Sequence, residues 1–409
     1  MNRLFINFLP QIFTAITALA LVRVYTELLS DEHLGIVMLM MALMSLVDML
    51  ILASVNQTVF YYSCKHEYYS FFHEKIQRYL RRIVLLVVLL FIFLHLFIIN
   101  SLAESDLGVV LVLVTSIIMY LLIELPKNTY LAIMNSLSDR SIYNTQLIFD
   151  SFMYFTVIVL YLYIFETWVA IFVAVVTARL VSFIFLQKMI LRRVKELQIG
   201  DACVKANDFI SHAWPISMSG FIGWGAGFMD RFIIASISGY AVTGYYSVVS
   251  GLVNRPYGVA SSGLSVSFRP ELYKSFSKNK YRDAWKVLKK WLSVSFVIGL
   301  VGFILFYILE ELIIQLLIAD SYQNNVEGLM YLLALAFTVN IMTHALENVF
   351  LAKGEAKKLV VLQAILLLPF FISIAFGAYF YGVVGAILGK LFSELFKFIT
   401  LLIYSKGFK

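Results

Sequence analysis

Charged residues are scarce in this sequence: only 14% of its 409 residues are Asp, Glu, Lys or Arg, whereas 61% are hydrophobic and 16% are aromatic. Prolines are also few, at 6. An ordinary soluble domain carries about 25% charged residues, because its surface must interact with water. The composition therefore excludes such a domain and predicts a protein whose solvent is lipid.

The sequence also lacks the motifs that carry catalysis or nucleotide binding. It has no metal-ligand cluster, no nucleophile and base at a useful spacing, and no nucleotide-binding loop. The glycines of GAILGKL at 385–391 are too close together for a phosphate loop, and Leu391 stands where Ser or Thr is needed. We therefore predict no catalytic residue, no metal and no cofactor, and we exclude ATP as the energy source.

Long apolar runs are abundant instead. Crossing the hydrocarbon of a bilayer takes about 20 apolar residues in a helix. The first run is too long for a cleavable signal peptide, so we expect it to stay in the protein. The runs predict an all-α polytopic membrane protein with twelve spans, at 4–25, 35–61, 83–102, 107–125, 143–165, 168–190, 209–237, 242–268, 291–309, 329–351, 359–381 and 383–404.

The basic residues outside the spans lie on one side of the membrane. Of the 32 Lys and Arg, 26 lie before span 1, at or beyond the end of an even-numbered span, or at the C-terminus, counting Lys188, which falls two residues before the end of the span 168–190. By the positive-inside rule both termini are cytoplasmic. The basic charge thus follows membrane topology and anionic lipid, which argues against a nucleic-acid partner. Cys64 and Cys203 both fall on the reducing side, so we expect no disulfide.

Two similar stretches indicate an internal repeat. KNTYLA at 127–132 recurs as ENVFLA at 347–352, an offset of 220 residues. Pro10 and Pro215 open the first span of each half, and Gly35 and Gly244 close the first hairpin. The sequence predicts a six-helix bundle at 1–195, a cytoplasmic linker at 196–208 and a second bundle at 209–409. Parallel repeats of this kind surround a central cavity.

Residues 8–63 and 215–254, with the pair Asp230 and Arg231 late in span 7, resemble the opening hairpins of a known transporter family. The family is the polysaccharide flippases of the multidrug/oligosaccharidyl-lipid/polysaccharide (MOP) superfamily, with the O-antigen flippases as the nearest branch. The resemblance covers essentially the whole chain. Members of the peptidoglycan-precursor branch usually have two further helices.

This resemblance implies a function in the bacterial inner membrane. The protein would move undecaprenyl-pyrophosphate-linked oligosaccharide, an O-antigen or exopolysaccharide repeat unit, from the cytoplasmic to the periplasmic leaflet by alternating access. Its partners would be that substrate and the membrane lipids. The polysaccharide polymerase and the chain-length machinery are further candidate partners.

Charged residues within the spans predict the functional site. A charge at the bilayer centre costs about 2.5–3.5 kcal/mol on insertion scales, so such residues normally face a partner or a watery cavity. We expect the basic members to form a cationic lumen that binds substrate, and the acidic members to pair with them or couple transport to an ion. The basic set is Arg23, Arg179, Arg231, Arg255 and Lys390, and the acidic set is Asp48, Asp150 and Asp230.

Several of these charges have simpler interpretations. Neighbours on a helix project about 100° apart, so Asp230 and Arg231 cannot simply pair with each other. For Arg23, Glu347 and Lys397 the sequence favours snorkelling to the membrane interface, and Glu124 is compatible with a cytoplasmic helix end. Structural ion pairs between helices are an alternative for the deeper residues. His344 is more typical of a local hydrogen bond than of a proton relay.

Three classes of function compete at this stage. A flippase for an anionic lipid-linked sugar suits a lumen rich in arginine, because guanidinium groups stay charged and bind phosphate bidentately. A cation-coupled multidrug exporter would favour acidic residues in the lumen. A membrane enzyme acting on lipid-linked sugars would need an interfacial catalytic platform, whereas the periplasmic connections here are short. The sequence favours the flippase, with the exporter as the alternative.

Overall fold

A computed structural model describes residues 2–65, 106–136, 140–165, 167–194 and 206–406. All regular elements in these residues are helices. They are α1 (Asn2–Leu28), α2 (Asp31–Val47), a π-helical turn (Asp48–Leu52), α3 (Ala53–Lys65), α4 (Asp106–Ser136), α5 (Arg140–Phe165), α6 (Ala170–Val194), α7 (Ala206–Ser277), α8 (Tyr281–Leu317), α9 (Asp320–Val326), α10 (Leu329–Ala352) and α11 (Ala356–Lys406).

Eight helical stretches of the described residues are long and apolar enough to cross a membrane. Two helices are too long for one crossing: α7 has 72 residues and α11 has 51, whereas about 20 suffice. Each contains a break at a glycine with positive φ, Gly239 at 87° and Gly382 at 58°. Glycine adopts this conformation without the steric penalty of a side chain.

The two breaks divide α7 and α11 into the spans that the sequence predicts. Gly239 separates the predicted spans 209–237 and 242–268, and Gly382 separates 359–381 from 383–404. The predicted span 35–61 corresponds to α2, the π-helical turn and α3 together. The predicted span 83–102 lies outside the described residues. The all-α membrane architecture is thus confirmed, and the number of twelve spans stays a prediction.

The helices form two compact units. One contains Met1–Val24 and Met40–Phe221, and the other contains Tyr25–Leu39 and Ile222–Lys409. In the first unit, Ile123 of α4 packs with Phe183 and Leu186 of α6 in the core. In the second unit, α10 packs against α8 and α11. The two bundles at 1–195 and 209–409, with their linker at 196–208, stay a prediction.

The end of the first helical hairpin belongs to the second unit. The hydroxyl of Tyr322 donates to the carbonyl of Leu29 at 2.8 Å, and the backbone N–H of Ala319 donates to Thr26 Oγ1 at 3.0 Å. The Tyr245 hydroxyl donates to the carboxylate of Asp31. These bonds tie residues 25–39 to α9 and to the second half of α7.

Candidate functional site

A polar cavity of about 530 Å³ lies within the second unit, between α7 and α10. Its volume falls in the range of small-molecule sites, about 300–1,000 Å³. Hydroxyl and amide side chains supply most of its lining, and no acidic residue of the described part of the chain is among them. The lining is Asn254, Tyr257, Gly258, Ser261, Ser262, Ser265, Val266, Arg269, Phe337, Asn340, Ile341, His344 and Asn348.

Helical spacing explains why these polar residues meet. On α7 the lining includes positions 254, 258, 261, 265 and 269, and on α10 it includes positions 340, 344 and 348. Steps of three or four residues place side chains on one face of a helix. Two polar stripes, each on an otherwise apolar helix, therefore line one cavity.

Among the described residues, Arg269 is the one permanently charged side chain that lines this cavity. Its Nε donates to Oδ1 of Asn348 at 2.8 Å, and Nδ2 of Asn348 donates to the carbonyl of His344 at 2.8 Å. Asn348 is buried, and both ends of its amide are engaged. This amide therefore holds one edge of the guanidinium group in a defined orientation.

An ionic cluster lies behind the α10 wall of the cavity. Glu347 accepts hydrogen bonds or ion pairs from three sides: His344 Nδ1 at 2.9 Å, Lys397 Nζ at 2.9 Å and Gln363 Nε2 at 2.8 Å. The expectation that Glu347 and Lys397 snorkel to the interface is wrong. They pair with each other because a mutual contact between α10 and α11 satisfies both charges inside the protein.

Asp230 and Lys390 form a second buried ion pair in this unit. Lys390 Nζ lies 2.7 Å from Asp230 Oδ2 and 3.2 Å from the hydroxyl of Tyr246, which itself donates to Asp230. Lys390 Nζ is also 5.1 Å from the ring centre of Phe337, a residue that lines the cavity. The pair therefore lies just beyond the cavity wall.

Arg231 does not pair with its neighbour Asp230. Its guanidinium carbon lies 4.8 Å from the centre of the Phe228 ring, while its backbone N–H donates to Asp230 Oδ1 at 2.9 Å. The two adjacent charges thus point to different surroundings, as helical geometry requires. Asp230 is neutralised by Lys390, 160 residues away in sequence.

A double-mutant cycle on Asp230→Asn and Lys390→Met tests this pair. We expect a coupling energy of about 0.5–3 kcal/mol, with the double variant more stable than Lys390→Met alone, because the single change leaves a carboxylate buried without its cation. Thermal unfolding in detergent measures each stability. Strictly additive effects would contradict the pair.

The first unit contains a larger charge network, formed by α4, α5 and α6. Lys127 Nζ lies 2.6 Å from Glu124 and 2.9 Å from Asp150. Arg179 lies 3.4 Å from Glu124 and 3.3 Å from Asp150. Ser182 and Gln146 also donate to Asp150, the latter at 3.4 Å. Two cations and two carboxylates thus neutralise one another.

This network corrects two assignments. Glu124 is not at a cytoplasmic helix end, and Lys127 is not in a cytoplasmic connection, because α4 continues to Ser136 and both side chains are buried. Among the predicted site residues, Asp150 and Arg179 are brought together here. With each oxygen of Asp150 occupied, ion coupling through this residue would require the network to open.

The other predicted site residues are distributed over both units. Asp48 begins the π-helical turn of the first unit and accepts a hydrogen bond from Tyr120 at 2.8 Å. Such turns are frequent at functional sites. Arg23 lies on α1 in the same unit. Arg255 lies on α7 in the second unit and is half-buried, next to but not among the residues that line the cavity.

The whole fold is similar to those of known membrane transporters. The structure matches an inward-facing multidrug resistance MATE family transporter of the MOP superfamily with a TM-score of 0.72, 11% identity, and coverage of 98% of this chain and 94% of that chain. The chain has the fold of the MOP-superfamily transporters. It also matches the lipid II flippase MurJ in an inward closed conformation, with a TM-score of 0.67, 14% identity, and coverage of 98% and 87%.

The outward-facing form of a MATE family transporter gives a lower TM-score of 0.63, at 10% identity and coverage of 98% and 94%. No protein-family model matches the chain. No curated protein matches it by sequence either. The structural likeness therefore shows the fold, and membership of the polysaccharide branch of the MOP superfamily stays a prediction.

Most of this cavity is not evident from the ionisable residues of the sequence. Arg269 follows the predicted span 242–268 by one residue, so the sequence groups it with the cytoplasmic charges. Nothing in the sequence assigns a site role to His344 or Asn348. The available signal was the recurrence of Asn, Ser and Gly every three or four residues along an apolar helix. A search limited to ionisable residues does not detect this pattern.

Proposed function

We propose that this protein is a flippase for a lipid-linked oligosaccharide carried on undecaprenyl pyrophosphate. One observation carries the proposal: the cavity of the second unit is lined by hydroxyl groups, amides and one arginine. Sugars present many hydroxyl groups, and side chains that both donate and accept hydrogen bonds suit them. Phosphate and carboxylate groups suit the fork of a guanidinium group.

The proposal includes a location and a route. The protein would lie in the bacterial inner membrane, as the resemblance to the flippases implies, and the one-sided distribution of Lys and Arg supports cytoplasmic termini. The substrate head group crosses from the cytoplasmic to the periplasmic leaflet by alternating access, while the lipid tail stays in the bilayer. The protein acts as a transporter rather than as an enzyme, and a polysaccharide polymerase with its chain-length machinery would use its product.

The five basic residues predicted from the sequence are candidate contacts for the substrate. Arg23, Arg179, Arg231 and Arg255 are candidate contacts for the pyrophosphate along the route. Lys390 and Arg179 are held in ion pairs, so they would reach a substrate only after their carboxylate partners release them. Arg269 needs no such release, because the neutral amide of Asn348 binds its Nε.

A cation-coupled multidrug exporter is the second candidate, because the MATE family transporter gives the higher TM-score of the two relatives, 0.72 against 0.67. The cavity argues against it. Cationic drugs are attracted to carboxylates, whereas the lining, as far as the structure describes the chain, carries an arginine and no acid. Resistance to cationic dyes in cells that overproduce the protein, without any effect on surface polysaccharide, would favour the exporter.

Replacing Arg269 by Gln tests the flippase. We expect export of surface polysaccharide to fall by about tenfold or more, because a hydrogen bond to a charged group contributes about 1.5–3 kcal/mol. Export is measured in a strain that lacks the chromosomal gene, together with the lipid-linked intermediate that accumulates in the inner membrane.

Lys286→Gln is the matched control, since it also removes one positive charge but lies on the exposed surface of α8. We expect this variant to export normally. Equal export by Arg269→Gln and wild type, at equal protein level, would remove the cavity from the proposed route.

A further inference from the structure

We propose that the cavity of the second unit contains a proton-linked anion site, in which Arg269 and His344 bind one phosphate, sulfate or carboxylate group together. The neutral histidine takes up a proton when the anion binds. This inference deepens the proposed function, because it assigns the charged part of the substrate to a defined pair of residues. It also identifies His344 as the residue through which pH acts on binding.

The geometry around Arg269 favours anion binding. The residue lines the cavity, and its Nε is engaged by Asn348 at 2.8 Å. The two terminal nitrogens of a guanidinium group are the donors that form a bidentate contact with an oxyanion. An arginine held at Nε by a buried amide loses little further freedom on binding, so its site is preorganised.

The orientation of His344 follows from its contact with Glu347. An ionised carboxylate only accepts hydrogen bonds, and Glu347 is paired with Lys397 at 2.9 Å. His344 Nδ1, at 2.9 Å from Glu347 Oε2, must therefore carry a hydrogen in the neutral ring. The other nitrogen, Nε2, is then an acceptor with a free electron pair. The side chain is 44% exposed, and the residue lines the cavity.

In the neutral state, Nε2 of His344 is a hydrogen-bond acceptor, so it cannot donate a hydrogen bond to an anion. When Nε2 gains a proton from water, it becomes a donor, and the imidazolium ring adds a positive charge to the cavity wall. The proton and the anion then stabilise each other. By thermodynamic linkage, anion binding strengthens proton binding by the same factor.

The charged groups near His344 are consistent with this exchange. Glu347 is on the same helix, Lys397 and Glu394 are on α11, and Arg269 is on α7. Within this set Glu347 pairs with Lys397, and Glu394 adds a negative charge that interacts with both His344 and Lys397. Asn348 connects Arg269 to the carbonyl of His344, so the two cationic groups border the same part of the cavity.

Titration calorimetry of the full-length protein in detergent tests the site, with inorganic sulfate as the probe because sulfate does not titrate near neutral pH. We expect sulfate affinity to rise at least about fivefold from about pH 8 to about pH 6. Measurements in buffers of different ionisation enthalpy should show uptake of a fraction of one proton per sulfate. Glucose, which is uncharged, should bind without proton uptake.

Two variants distinguish the contributions of His344 and Arg269 to sulfate binding. His344→Gln keeps a polar side chain that cannot be protonated, and we expect it to bind sulfate at all pH values with the affinity of wild type at high pH. Arg269→Gln should weaken sulfate binding at every pH. The matched controls are His33→Gln on α2 and Lys286→Gln on α8, neither of which lines the cavity. Both should behave as wild type.

A competition experiment identifies the source of the natural anion. Inorganic phosphate is used as a competitor in detergent, and phosphatidylglycerol is compared with phosphatidylcholine in nanodiscs. Competition by phosphate alone supports a soluble or substrate-borne group, and competition by phosphatidylglycerol supports a lipid head group. Either result supports the site, and competition by neither overturns it.

The proposal is overturned if wild type binds no sulfate, if its binding does not depend on pH, or if His344→Gln keeps the full pH dependence. These outcomes are independent of transport. If the protein shows proton-linked sulfate binding but exports no polysaccharide, the anion site stands and the proposed flippase function is rejected. If the protein exports polysaccharide but binds sulfate independently of pH, the proposed flippase function stands and the proton-linked anion site is rejected.

Discussion

Replacing Lys127 by methionine is expected to destabilise the first unit by about 3–5 kcal/mol, although the two side chains are similar in length. The ammonium group of Lys127 lies between Glu124 and Asp150, at 2.6 and 2.9 Å. Removing one partner of a buried ion pair leaves an uncompensated charge, and such changes cost about 3–5 kcal/mol. The midpoint of thermal unfolding in detergent measures the loss.

The arrangement of the network explains why the remaining cation cannot compensate. After the change, Arg179 alone faces two carboxylates, and its contacts are longer, at 3.4 and 3.3 Å. One negative charge is left in a part of the protein that is buried and predicted to lie within the membrane. The three helices α4, α5 and α6 meet at this point, so a local repulsion affects all of their packing.

Two further variants isolate the electrostatic effect. Adding Glu124→Gln to Lys127→Met removes the excess charge, so we expect it to restore part of the stability. Lys286→Met removes a surface lysine that is 70% exposed and pairs with Asp283 at 3.4 Å, and we expect a change below about 1 kcal/mol. If Lys127→Met is as harmless as the surface change, the network does not stabilise the unit.

The membrane architecture was predictable because it depends on length and apolarity alone. Lipid satisfies no backbone hydrogen bonds, so long apolar segments must become helices. The sequence also indicates where the long helices turn, since Gly239 and Gly382 fall between predicted spans. What it could not indicate is that α4 extends eleven residues beyond the predicted end at 125, since Lys127 has the appearance of a terminating charge until its partners are known.

The ion pairs also differ in whether the sequence could predict them: pairs within one helix were predictable, and pairs between helices were not. Pairs at i and i+3, such as Glu124 with Lys127 and His344 with Glu347, follow from helix geometry. They also lie at equivalent positions of the predicted repeat, because 344 − 124 and 347 − 127 both equal 220. The partners of Asp230 and Arg179 come from other helices, and only the packing of those helices reveals them.

A leucine in place of Gly35 is expected to destabilise the second unit by more than about 3 kcal/mol, at the upper end of the effects of overpacking. A β-carbon at position 35 would overlap the backbone carbonyl of Tyr240, well inside van der Waals contact. Tyr240 directly follows Gly239, where α7 breaks. Backbone atoms at such a turn cannot move aside as a flexible side chain can.

The contacts around Gly35 determine what the substitution would break. Four residues earlier, Asp31 accepts the hydroxyl hydrogen of Tyr245, and its carbonyl lies against Gly244. Moving α2 away from α7 to admit a leucine separates these groups as well. We therefore expect loss of monodisperse protein after mild heating, together with loss of polysaccharide export.

Gly227→Leu is the matched control, because it makes the same chemical change on α7 at a position where a β-carbon meets no atom within 4 Å. We expect this variant to be at least as stable as wild type, since leucine favours helix more than glycine does. A similar loss in both variants would show that added bulk, rather than the close approach of α2 and α7, is responsible. A loss confined to Gly35→Leu would instead show that residues 25–39 must stay bound to the second unit for it to remain folded.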